Sequence, residues 1–310
     1  MGSFWKGNPC SPTWSSFINS YIYGYPPKLI EPSPPIQPIK LQGLTLRFAT
    51  PADIEQLPEF WTRFFSDGKA RCIVPLLHIQ KARWTIIVVV KDGLVIGSLV
   101  RRWTKLHIKE TAWQKAGIID YFCIHPAYRK RGIGRALLSC LHNVTERPIQ
   151  PHLMLLEGVQ ITMPPISAGV YLSRRCVGSG LAEEAKDEAI WRACVKGVGT
   201  GVWTPFEEGE TTLWNVGGGS GLGRHVAIWN TFHYSIPDGL KIGIIVGYTN
   251  ILAATAAAQT KGHGFGVLLL PVPVWTMATP IEGWTIDSPF QWIAYNTDVG
   301  FIETFPALCF

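Results

Sequence analysis

The stretch 121–138, "YFCIHPAYRKRGIGRALL", decides how this chain is read. An apolar, strand-like run ends at Pro126. Four cations (Arg129, Lys130, Arg131 and Arg135) then crowd around Gly132 and Gly134, and apolar residues recur at helical spacing at Ile133, Leu137, Leu138 and Leu141. Cations at a helix start oppose the helix dipole, so an anion is needed to offset them. The first amides of a helix have no internal partners, and glycines, having no Cβ, let a ligand come close to them. Strand, basic turn and glycine-flanked helix start together predict a cradle for a pyrophosphate.

Working outward, "AGIIDYFCIHP" (116–126) predicts a strand and "KRGIGRALLSCLHNV" (130–144) the helix that follows it. "RWTIIVVVKDGLVIGSLVRRW" (83–103) reads as a hairpin around Lys91-Asp92-Gly93, with the cations at 101–105 read either as a contact for an acidic partner or as a solvated strand end. "LTLRFA" (44–49) alternates like a strand, and a helix follows with Thr50 as N-cap, Pro51 at its first position and an acid in its first turn. A helix-like stretch near 70–82 and strands at 152–161 and 168–175 complete this unit. The second half gives a similar order: a hairpin around Pro237-Asp238-Gly239, a helix at 251–264, and strands at 265–272 and 290–305. Hairpins make antiparallel neighbours. The expected class is therefore α+β, a mixed, mostly antiparallel sheet flanked by helices, duplicated in two similar halves.

Four segments follow from this reading. Residues 1–43 form an arm with six prolines in "YPPKLIEPSPPIQP" (25–38) and many aromatic residues, expected to pack across the body. Residues 44–176 form the ligand-binding domain, 177–224 a connector holding the glycine-rich "VGGGSGLGRH" (216–225), and 225–310 a partial second domain. Charged residues make up only 16% of the chain against roughly 25% in an average soluble protein, and the net charge is a mild +6. Without long basic runs this argues against nucleic acid and for a small anionic ligand. The seven cysteines are scattered with no CxxC pair, which suits reduced thiols in the cytoplasm and gives no metal site. The apolar run 242–258 falls short of a membrane span and reads as a strand entering an alanine-rich helix.

Arg129-Lys130-Arg131-Gly132-Ile133-Gly134 resembles the R/Q-x-x-G-x-G/A signature of the GCN5-related N-acetyltransferases (GNAT), and the "TPADIE" helix start near residue 50 is similar to the first helix of that fold. A further resemblance is to the N-myristoyltransferases, which are two fused GNAT-like halves, here in shortened form. Their "FLCVH" strand before a basic helix start is similar to Tyr121-Phe122-Cys123-Ile124-His125 before Arg129-Lys130-Arg131. "LEGVQITMPPISAGVYLSR" (156–174) and "WIAYN" (292–296) resemble two later segments of that family, in the same order. Leu156 stands where the family has threonine, and Asp120 where it has asparagine.

The resemblance implies acyl-CoA as co-substrate, myristoyl-CoA or acetyl-CoA, held by Ile124, Arg129, Lys130, Arg131, Gly132, Ile133, Gly134 and Arg135. It implies direct attack on the thioester by an N-terminal amine of a protein or peptide, with the backbone amides of Tyr121 and Phe122 as oxyanion hole. The sheet would have to splay or bulge there to release those amides from strand pairing. Two bases stay open: the terminal carboxylate of Phe310, as in that family, and the side chain of Asp120. His125 is expected to pack or cap, and Cys123 to lie in the core. A short-chain acetyltransferase and a non-catalytic protein on the same fold remain alternatives.

Overall fold

The computed structural model describes residues 13–23, 25, 28–30, 39–65, 71–72, 84–108, 111–143, 150–157, 164–178, 180, 182–198, 202–204, 211–216, 224–229, 234–235, 239–260, 263–273, 281–295 and 297–298. Its helices are α1 (Trp14–Tyr23), α2 (Pro51–Phe64), α3 (Ile133–Asn143), α4 (Glu188–Val198) and α5 (Ile251–Ala258). The first strands are β1 (Lys28–Leu29), β2 (Thr45–Phe48), β3 (Arg71–Cys72), β4 (Trp84–Lys91), β5 (Leu94–Ile108), β6 (Thr111–Ile124), β7 (His152–Glu157) and β8 (Pro165–Arg175). They are followed by β9 (Ala182–Ala185), β10 (Val202–Trp203), β11 (Thr211–Val216), β12 (His225–Trp229), β13 (Tyr234–Ser235), β14 (Ile242–Tyr248), β15 (Val267–Pro273), β16 (Thr285–Tyr295) and β17 (Thr297–Asp298).

One continuous sheet runs β2-β4-β5-β6-β7-β16-β8-β15-β14-β12-β11-β9, with β10 attached to the far end of β5. All its neighbours are antiparallel except β6 with β7 and β14 with β15. The two parallel pairs sit at matching places in two similar halves. Each half runs strand, helix, two antiparallel strands, a third strand, a helix and a parallel strand: β2-α2-β4-β5-β6-α3-β7, then β9-α4-β11-β12-β14-α5-β15. The α+β class, the mostly antiparallel sheet and the duplication are as the sequence led us to expect.

The halves are joined by an exchange of strands. β8 follows β7 in sequence yet pairs with β15 of the second half, and β16 follows β15 yet pairs with β7 of the first. β8 and β16 then pair with each other at the centre. Local chemistry accounts for the outer elements. The hairpin β4–β5 turns at Asp92 and Gly93, both left-handed (φ 51 and 81), as a two-residue turn requires. At the start of α2, the Asp53 carboxylate accepts the Thr50 amide (2.7 Å) and hydroxyl (2.6 Å) and pairs with Arg47 of β2, whose second guanidinium nitrogen donates at 3.0 Å.

Several expectations are corrected. The connector 177–224 contributes β9, α4, β10 and β11, because Trp191, Cys194 and Val195 recur on one face of α4 and bury it. Residues 71–72, expected to be helical, pair with β13; 73–83 lie outside the described residues, as do 158–163, 217–223 and 299–310. Among the described residues of the arm, the aromatics Trp14, Tyr21, Tyr23 and Tyr25 are exposed, and Ile22 is 63% exposed. β1 pairs with β17. Arg101 and Arg102 are no solvated strand end, being 4% and 3% exposed; the Arg101 guanidinium stacks 4.0 Å above Trp103 and donates to Thr85 Oγ1 at 3.0 Å.

Candidate functional site

The opening stretch folds as a strand end, a single 3₁₀ turn (Pro126–Tyr128) and α3. His125 starts the turn: its Nδ1 accepts the Ala127 amide at 3.2 Å, and its ring lies between Phe64 and Tyr128. It caps and packs, as expected. Arg129 folds back, and its Nε donates to the Ile124 carbonyl at 3.0 Å, bracing the end of β6 against the turn.

Lys130 and Gly132 are left-handed (φ 64 and 82), so the chain curls into the helix start. A Cβ added at Gly132 would meet nothing within 4 Å, so the space in front of α3 is open. Arg129, Lys130, Arg131 and Arg135 all reach the surface around it. Arg131 stacks on Tyr128 at 5.3 Å, and Lys91 of the β4–β5 turn stands over the same ring at 5.5 Å. Sequence reasoning missed Lys91 at this rim. It reads only as a turn residue, and nothing local signals that the hairpin brings it beside Tyr128.

Ile133 is buried against Ile87, Val89, Leu99 and Ile119, so its side chain anchors α3 and only its backbone faces the cradle. Gly97 of β5 makes room for this: a Cβ there would press on the Ile133 side chain at 3.2 Å. Gly134 is buried in the first turn.

The sheet deforms just upstream. Ser98 of β5 faces Cys123 and Val100 faces Asp120, so Leu99 alone stands opposite Tyr121 and Phe122. This is a β-bulge, and Tyr121 sits in it left-handed at φ 46, a conformation that costs a bulky residue about 1–2 kcal/mol. Packing holds it there. Ser98 Oγ donates to the Tyr121 carbonyl at 2.9 Å and accepts the indole N–H of Trp61 at 2.8 Å, while the Trp61 and Tyr121 rings stack at 4.0 Å. The Tyr121 amide turns to the carboxylate of Asp120, donating to Oδ1 at 2.6 Å. On its other edge β6 pairs with β7 over Gly117–Ile119 and His152–Met154 only, although both strands run on, so they part where the bulge begins. Leu156 lies half-buried on β7 beyond that point. Cys123 is buried in the core, as expected.

Among the described residues, the second half shows no such cradle at the corresponding place. β14 is also bulged, since Ala227 and Ile228 face Gly247 and Ile245. However, α5 begins three residues after β14 ends, and the Asn250 side chain accepts the Ala253 amide at 2.9 Å. No lysine or arginine occurs from 242 to 258. That helix start is capped by its own chain, whereas α3 opens onto cations.

The structure thus brings Asp120, Tyr121, Phe122, Ile124 and the 129–135 turn to one end of β6; Phe310 lies outside the described residues. Among the described residues there is no cluster of groups that could hold a metal ion, and no helix long and apolar enough to cross a membrane.

Residues 54–146 match the acetyltransferase (GNAT) family profile. No curated protein matches the sequence. Among solved structures, the chain is similar to N-myristoyltransferase of Saccharomyces cerevisiae with bound myristoyl-CoA, at TM-score 0.67 and 12% identity over 96% of this chain and 93% of that one. A second structure of the yeast enzyme with myristoyl-CoA gives TM-score 0.68 at 12% identity, over 96% and 88%. The fold is GNAT-like, a mixed, mostly antiparallel sheet flanked by helices, similar to that of those structures.

Proposed function

We propose that this chain, carrying a GNAT domain at residues 54–146, is an acyl-CoA-dependent N-acyltransferase whose acceptor is a protein or peptide amine. One observation carries the reading: an open, cationic helix start lies directly downstream of a bulge that turns a backbone amide out of the ladder. The first amides of α3, with Lys130, Arg131 and Arg135 around them, suit the CoA pyrophosphate. Arg129 and Ile124 hold the turn in shape, and Gly132, Ile133 and Gly134 offer backbone alone.

The acyl thioester then lies where β6 and β7 part. The amides of Tyr121 and Phe122 suit the oxygen that gains charge as the amine attacks. The amine nitrogen bonds to the thioester carbon, the carbon–sulfur bond breaks, and CoA leaves as a thiolate that takes up a proton. The ammonium must first lose a proton, for which Asp120 stands beside the site and the Phe310 carboxylate is the other candidate. Cys123, Cys140, Cys176 and Cys194 are free thiols, which suits a reducing cytoplasm.

Native mass spectrometry after incubation with acetyl-CoA and with myristoyl-CoA tests this. Retention of either supports the reading, and the retained chain length separates a short-chain acetyltransferase from a myristoyl-type enzyme. Retention of neither CoA species overturns it in favour of a non-catalytic use of the fold.

A further inference from the structure

We infer that the Asp120 carboxylate is the resting occupant of the oxyanion site, and that an incoming acyl carbonyl must evict it. The inference rests on the acyltransferase reading and adds a role for one residue to it. The Tyr121 amide, the first of the two assigned to the thioester oxygen, donates to Asp120 Oδ1 at 2.6 Å. A carboxylate oxygen there is an anionic acceptor, the same chemistry that a tetrahedral intermediate would present to that amide.

The bulge cannot readily turn the amide elsewhere. The Tyr121 carbonyl takes the Ser98 hydroxyl, Ser98 takes the Trp61 indole N–H, and Trp61 stacks on the Tyr121 ring. Trp61, Ser98 and Tyr121 are all buried. Asp120 is half-buried where the others are buried, so the carboxylate is the group that yields. Its eviction exchanges one hydrogen bond for another: amide to carboxylate becomes amide to thioester carbonyl, with no covalent bond changed. The displaced carboxylate remains beside the Tyr121 amide it left, where it accepts the ammonium proton. Filling the oxyanion site and releasing the base become one event. CoA without an acyl carbonyl leaves the carboxylate in place.

The test compares two probes on wild type, Asp120→Ala and Asp120→Asn by titration calorimetry. One probe is CoA; the other is a CoA ketone in which a methylene replaces the thioester sulfur. Asp120→Ala should bind the ketone about tenfold more tightly, the lower end of what a charge-assisted hydrogen bond contributes, while its affinity for CoA stays unchanged. Asp120→Asn, whose side-chain oxygen still accepts, should show a smaller gain in the same direction. Equal changes for both probes, or none, overturn the inference. If neither probe binds wild type, the acyltransferase reading itself fails and this inference falls with it. The backbone resonance of Tyr121 reports independently of affinity: it should move in Asp120→Ala and on adding ketone to wild type, but not on adding CoA. An unmoved Tyr121 resonance in Asp120→Ala overturns the carboxylate contact.

Discussion

Replacing Ser98 by alanine removes one oxygen and tests whether packing beneath the sheet shapes the bulge. The hydroxyl makes two buried contacts, accepting from Trp61 Nε1 at 2.8 Å and donating to the Tyr121 carbonyl at 2.9 Å. Trp61 is 0% exposed, so its N–H cannot turn to water and loses its acceptor, at about 1–3 kcal/mol. The lost donor to the Tyr121 carbonyl adds about 0.5–1.5 kcal/mol. The sum, roughly 2–4 kcal/mol of folding stability, is readable as a shift of the urea midpoint with unchanged slope. A second effect is specific to the site. Without Ser98, Tyr121 is free to leave φ 46 for an extended conformation, and its amide turns back toward the ladder. Binding of an acyl-CoA carbonyl analogue should then weaken far more than binding of CoA, whose pyrophosphate we propose to lie at α3. Ser98→Thr, which keeps the oxygen, should recover part of both losses. A Ser98→Ala protein that loses under about 1 kcal/mol and still separates the two ligands as wild type does would refute the argument, because a satisfied hydroxyl would then be irrelevant to the bulge.

Two further outcomes are expected. Lys130→Ala and Arg131→Ala should each weaken CoA binding about tenfold and flatten its salt dependence, leaving an acyl-pantetheine that lacks the nucleotide unaffected; calorimetry at two ionic strengths reads this. Burial alone would raise the Asp53 carboxyl, but the Arg47 guanidinium and the Thr50 hydroxyl and amide outweigh it and hold the group at about 2 against an ordinary 3.8. A lowered carboxyl stabilises the fold above the unfolded value and ceases to as pH falls through the folded one. Asp53→Asn should therefore cost about 1–2 kcal/mol at pH 7, allowing for screening at the partly exposed Arg47, with the difference from wild type closing between about pH 4 and pH 2 in acid unfolding.

The sequence was informative where structure is local. Asp92-Gly93 names its own turn, Thr50 through Asp53 names its own helix start, and the basic turn before Ile133 is contiguous. α4 was also legible, since Trp191, Cys194 and Val195 have helical spacing. Other features depend on distant partners. A left-handed tyrosine is improbable from its own chemistry and exists because Ser98 and Trp61, 23 residues and further away in sequence, hold it. Lys91 reaches Tyr128 because the hairpin end folds over the turn, and buried Arg101 lies on the Trp103 ring and donates to Thr85. The central pairing of β8 with β16 joins residues more than a hundred positions apart, and no periodicity within either strand announces its partner.

That crossing of strands has a consequence for how the molecule is made. β7, which borders the parted strands of the candidate site, has β16 as its outer neighbour, and β16 is residues 285–295. During synthesis, β2 through β7 emerge with this flank of the sheet bare until residues 285–295 have left the ribosome. Sequence-distant pairing of this kind is slow to form and leaves strand edges exposed meanwhile. The first half therefore cannot mature ahead of the second. The parted strands of the candidate site take their native shape only once residues 285–295 are made, and a ribosome stalled before residue 285 carries a nascent protein with an open edge.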